Sequence, residues 1–131
     1  MRISTDYGLS WGPEKPVATT GVNENYVYLY LTKNGTLLTP GNTNLLYFSS
    51  DWGETWSNKP LGSNMAWTVI MELDNGDFMV IYKNTTNNYI YFKKSSDFGA
   101  SWSSPTLFLN GINGDIGAAI VVNGAIYFTY I

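Results

Sequence analysis

An eight-residue pattern, Ser-x-Asp-aromatic-Gly-x-(Ser/Thr)-Trp, occurs three times in this chain, at residues 4–11, 49–56 and 95–102. Its aspartates, Asp6, Asp51 and Asp97, lie 45 and 46 residues apart. Self-similarity at a fixed period of this size marks a repeat architecture. A second marker runs in phase with the first: Asn34-Gly35, Asn75-Gly76 and Asn123-Gly124 each sit between apolar, β-rich runs. Asn-Gly supplies the two positive-φ positions of a type I′ hairpin turn. Each repeat is therefore expected to hold one hairpin closed by Asn-Gly and one closed by the octapeptide. Four strands in about 45 residues is the size of a propeller blade.

The expected fold is all-β. One blade runs through strands at 26–32, 36–40, 45–49 and 55–60, and the next through 67–73, 77–83, 89–94 and 101–109. Runs such as 26–31 and 78–82 are apolar on both faces, as strands between two neighbouring sheets would be. No helix is expected, because Gly, Asn and β-branched residues interrupt every helical period. The ends look like two halves of a third blade. Residues 1–22 read as its last two strands and 111–131 as its first two, flanking blades at 23–62 and 63–110. Counted from Asp97 around the ends to Asp6, the interval is 40 residues, close to the internal period. Three blade equivalents cannot close a ring of roughly four to eight blades. Two copies would make six, each chain completing the other's split blade in a two-fold homodimer.

The octapeptides resemble Asp boxes, or bacterial neuraminidase repeats, of sialidases and other sialidase-like six-bladed propellers. By periodicity the resemblance covers the whole chain. It implies that Asp6, Asp51 and Asp97 accept backbone N–H bonds. It also implies that Gly8, Gly53 and Gly99 take positive φ, and that Trp11, Trp56 and Trp102 pack between sheets. These turns would then lie away from the ligand face. Sialidase catalysis in the family uses three arginines on the substrate carboxylate, a Tyr–Glu pair and an acidic Asp. This chain has one arginine, Arg2, so the triad cannot be built and an enzyme is not expected.

Composition removes other classes. There is no Cys and no His, which excludes disulfides, thiol nucleophiles, catalytic imidazoles and Cys/His zinc sites. Only seven residues are Lys or Arg against ten Asp or Glu, so a phosphate-binding surface and nucleic acid are not expected. No calcium loop has the oxygen density that ion needs, and no cofactor or metal is implied. No apolar run reaches 18 residues and no signal peptide is visible; an extracellular or virion-associated location is the expectation.

The end opposite the octapeptides is the expected binding face. Eight residues before each Asn-Gly stand Tyr26, Trp67 and Asp115, flanked by Glu24, Asn25, Asn64 and Asn113. The loops between second and third strands add Asn42, Asn44, Asn84, Asn87 and Asn88. An aromatic platform with amides and carboxylates suits sugars, whose C–H face packs on the ring while polar groups meet the hydroxyls. Aromatics at strand starts also serve core packing, and loop asparagines also serve turns. Non-catalytic, lectin-like carbohydrate binding leads. A structural or protein-interaction propeller, or a remnant of a glycoside hydrolase using Glu24 and Asp115, are the alternatives.

Overall fold

A computed structural model describes residues 1–17, 28–41, 44–110 and 115–130. It is all-β among these residues, with ten strands in three antiparallel sheets. The first sheet holds β1 (Tyr30–Leu31), β2 (Leu37–Pro40), β3 (Leu45–Ser49) and β4 (Ser57–Pro60) in sequence order. The second holds β5 (Met65–Glu72), β6 (Phe78–Asn84), β7 (Ile90–Ser95) and β8 (Thr106–Leu109) in the same order. A hairpin of β9 (Ile116–Val122) and β10 (Ala125–Tyr130) follows.

The sheets stack face to face. Leu38, Leu46 and Leu61 of the first sheet region meet Ile70, Phe78, Val80 and Tyr82 of the second in one buried cluster. Val69, Met71, Met79 and Ile81 point the other way and meet Ile116 and Ala119 of the C-terminal hairpin. The alternation of a strand sends adjacent residues to opposite faces, and in β6 six consecutive residues are buried. That is why the run at 78–82 carries no polar alternation. Residues 1–17 lie against the other side of the first sheet, where Lys15 pairs with Glu54.

Three expectations change. Residues 1–17 form no regular strand, although they pair like strands. Gly12 N–H donates to Ile3 C=O (2.9 Å) and Lys15 N–H to Met1 C=O (2.8 Å). Ile3 and Gly12 are the counterparts of Phe48 and Ser57, which pair in β3–β4. The type I′ assignment holds only at Asn123-Gly124, where φ is +50° and +77° and the loop has two residues. At Asn34-Gly35 and Asn75-Gly76 only the glycine has positive φ. There Gly35 N–H donates to Thr32 C=O and Gly76 N–H to Leu73 C=O, both at 3.0 Å, which gives a three-residue loop. The extra residue, Lys33 or Asp74, moves the turn back by one and leaves Gly alone in the left-handed region. Finally, β4 and β8 start later than expected, because the octapeptides hold Thr55 and Ser101 in their turns. The start of the strand expected at 26–32 lies outside the described residues.

Ile70 is fully buried in the middle of the stack. Ile70→Ala is expected to destabilise the fold by about 2–5 kcal/mol through lost burial and a residual cavity. Chemical denaturation followed by tryptophan fluorescence checks it.

Candidate functional site

The octapeptides share one network. In the second, the Ser49 hydroxyl donates to Asp51 Oδ1 (2.7 Å) and Gly53 N–H donates to Ser49 Oγ (2.8 Å). Thr55 N–H donates to Asp51 Oδ1 (2.9 Å), and its hydroxyl to Oδ2 (2.6 Å). Ser4, Asp6, Gly8 and Ser10 repeat the pattern, as do Ser95, Asp97, Gly99 and Ser101. Glu54 N–H closes a turn onto Asp51 C=O, and both central residues have positive φ, +57° at Trp52 and +85° at Gly53. Tyr7 and Phe98 match at +58°. Positive φ at the glycines was expected; at the aromatic residues it was not. An L-residue there costs about 1–2 kcal/mol, and the four bonds to Ser and Asp hold it in place.

These bonds act on the carboxylates. The Ser or Thr hydroxyl, then the backbone N–H of the same residue, then the first serine's hydroxyl lower Asp6, Asp51 and Asp97 to about 2 from the ordinary 3.8. A depressed folded-state value contributes stability above the unfolded value, and that stability is lost as pH falls through the folded one. The melting temperature should therefore drop between pH about 3.8 and about 2. Asp51→Asn should make the drop shallower, as circular-dichroism melts across that range would read. An unchanged drop would contradict the assignment to these turns.

Trp56 and Trp102 are half-buried, and Trp102 packs on the cluster between the two sheets. Trp11 departs from the expectation: it is 61% exposed. The sheet against which its counterpart Trp102 packs has no equivalent beside residues 1–17 among the described residues.

The octapeptide turns and the Asn-Gly turns occupy one end of the sheets, since Phe78 of β6 lies opposite Ser95 of β7. The other end gathers the start of β5, the end of β6 and the approach to β9. Here Ala66 pairs with Lys83, then Val69 with Ile81, so Trp67 and Thr68 stand opposite Tyr82 in a bulge. Trp67 takes φ +46°. A bulge of this kind re-aims a side chain at the cost of backbone strain. The half-buried Trp67 ring packs on the cluster that joins the second sheet to the C-terminal hairpin. Lys83 Nζ lies 5.0 Å from its centroid and 3.5 Å from Asp115 Oδ1. Lys83 is 8% exposed, whereas half of the Asp115 side chain meets solvent.

Trp67 and Asp115, predicted from their positions before Asn-Gly, thus share one cluster through Lys83. Asn64 lies at the same end with φ +56°, its carbonyl accepting from Thr85 N–H (2.9 Å). Tyr26, Glu24, Asn25, Asn113 and Asn42 lie outside the described residues. Several loop asparagines serve the turns. Asn44 Oδ1 accepts from Met65 N–H, Asn84 Oδ1 from Thr86 N–H and Asn87 Oδ1 from Tyr89 N–H. Asn88 sits at φ +60°. Lys83 is the residue that sequence reasoning missed. Its signal was a lysine ending an apolar strand whose neighbours leave no water-facing side.

Two clefts of about 380 and 430 Å³ open along residues 1–17, and neither includes Trp67, Lys83 or Asp115. Among the described residues, no three acidic side chains gather as a metal site, and no helix is long and apolar enough to cross a membrane. No protein-family model matches the chain, and no curated protein sequence matches it.

Proposed function

We propose that the chain is a non-catalytic, lectin-like module of the sialidase-like propeller type, which binds carbohydrate at the end of the sheets opposite the octapeptides. The observation that carries this reading is the cluster of Trp67, Lys83 and Asp115, built on a bulge that turns Trp67 out of regular strand geometry. The uncovered part of the indole offers a surface for the C–H groups of a sugar ring. Lys83 supplies donors and Asp115 acceptors for adjacent hydroxyls. An ammonium near an indole face is worth about 0.5–2 kcal/mol, and with the bond to Asp115 Oδ1 it holds Lys83 in position.

In this reading the octapeptides are Asp boxes and the two four-stranded sheets are blades. Residues 1–17 and the β9–β10 hairpin are the two halves of a split blade, and a second copy completes a six-bladed ring. The continuous burial of β6 supports the stacking, because both faces of one sheet are covered by neighbouring layers. Among the described residues one carboxylate, Asp115, stands beside Lys83, an arrangement that suits hydroxyl recognition, whereas glycoside hydrolysis uses a carboxylate pair roughly 5–10 Å apart. Arg2 lies on the N-terminal segment, where it meets Glu14 at 3.9 Å. Two sites related by the two-fold axis would make binding to clustered glycans multivalent.

A glycan array tests this. Wild type should give a signal that Trp67→Ala abolishes and Asp115→Asn weakens about tenfold, the loss of roughly 1.4 kcal/mol in hydrogen bonding. Asp115 is half exposed, and a thermal melt of that variant separates lost binding from lost folding. A blank array for wild type, or a signal untouched by both variants, would contradict the proposal.

A further inference from the structure

We infer that the free edge of β10 and the adjoining face of β7–β8 seat residues 1–17 of a second copy of this chain. The inference rests on the propeller reading above and adds to it which surfaces meet.

The chain already contains this interface twice. A Cβ placed on Gly53 would collide with Met1 Cε, and one on Gly99 would lie 3.3 Å from Leu46 Cδ2. Met1, Leu46 and Phe92 occupy one position of the repeat, 45 and 46 residues apart. Each of the first two covers the octapeptide glycine of the following unit, and Gly53 and Gly99 are accordingly buried. Gly8 has nothing within 4 Å of such a Cβ. Phe92 faces the C-terminal hairpin beside Phe108, with no octapeptide over it among the described residues. The uncovered glycine and the uncovering side chain are complementary members of one series.

The strand edges agree. Among the described residues β10 pairs only with β9. In the complete sheets, Leu37 and Phe78 open their second strands opposite Ser49 and Ser95, the first residues of the octapeptides. Ile126 holds the same place in β10, one residue past the turn-closing Ala125. It would stand opposite Ser4 of a second copy.

The outer faces follow. Ile70, five residues before Asn75, is buried against the first sheet. Leu29, five residues before Asn34, is 51% exposed, and Ile120 and Tyr127 on the far side of the C-terminal hairpin are 53% and 60% exposed. Seating residues 1–17 on β10 brings the second copy's first sheet, with Leu29, over Ile120 and Tyr127. The docking therefore continues the interface between the two complete sheets. It also removes an unpaired edge and an apolar face that would otherwise drive unspecific association.

The chain has no cysteine, so cross-linking between introduced cysteines reads the docking cleanly. Within the chain, Lys59 Nζ donates to Phe98 C=O (2.8 Å). Lys59 stands three residues after Trp56, and Pro105 stands three after Trp102. Tyr7→Cys mixed with Pro105→Cys and treated with a bismaleimide, whose spacer covers the reach of a lysine side chain, should give a covalent dimer whose main linked peptide joins positions 7 and 105. Tyr7→Cys mixed with Ser63→Cys, at the opposite end of the sheets, should give several-fold less. Equal yields from both mixtures, or no covalent dimer, would overturn the docking. A strong 7–105 link beside a blank glycan array would reject the lectin reading alone. A glycan signal without the link would reject the docking alone.

Discussion

Val80 and Ile81 are neighbours on β6, point to opposite faces of the second sheet and are both fully buried. A sheet with two apolar faces needs a cover on each, and this requirement organises the whole structure. It stacks the first sheet on one side and the C-terminal hairpin on the other. It also explains why the apolar strands show no polar alternation. Each buried side chain of the Val, Leu or Ile class contributes about 1.5–3 kcal/mol, so the covers hold the stack together. Among the described residues the outer layers have no such cover, and Leu29, Ile120 and Tyr127 are exposed.

The octapeptides set how the layers join. Their turns place an aromatic residue and a glycine at positive φ, and the Ser–Asp network keeps that backbone in place. The glycine then accepts a side chain from the preceding layer, Met1 onto Gly53 and Leu46 onto Gly99. A rigid turn and a flat contact point recur at the same spacing as the sheets. The repeat in the sequence is thus a repeat of interfaces as much as of strands.

Much of the fold was legible because its signals are local. The bounds of β3, and the C-terminal ends of β2, β4 and β8, follow from Asn-Gly, the octapeptides and apolar runs. The asparagine-glycine turns were misread at two of three sites, since the loop length depends on strand register and dipeptide identity does not reveal it. The positive φ at Tyr7, Trp52 and Phe98 was hidden for a related reason. Aromatic residues avoid that region unless side-chain bonds elsewhere compel them. At the candidate site, Trp67 and Asp115 were found by their phase in the repeat. Lys83 was not, because its role depends on the bulge at Trp67 and on the hairpin brought alongside. Those are tertiary facts that no single strand carries.

In the proposed ring two copies of the chain cover each other's outer layers. Sedimentation equilibrium, or native mass spectrometry at low and high protein concentration, tests it most directly. The account predicts a species of twice 14.6 kDa that persists on dilution. A stable monomer of 14.6 kDa at all concentrations would contradict it.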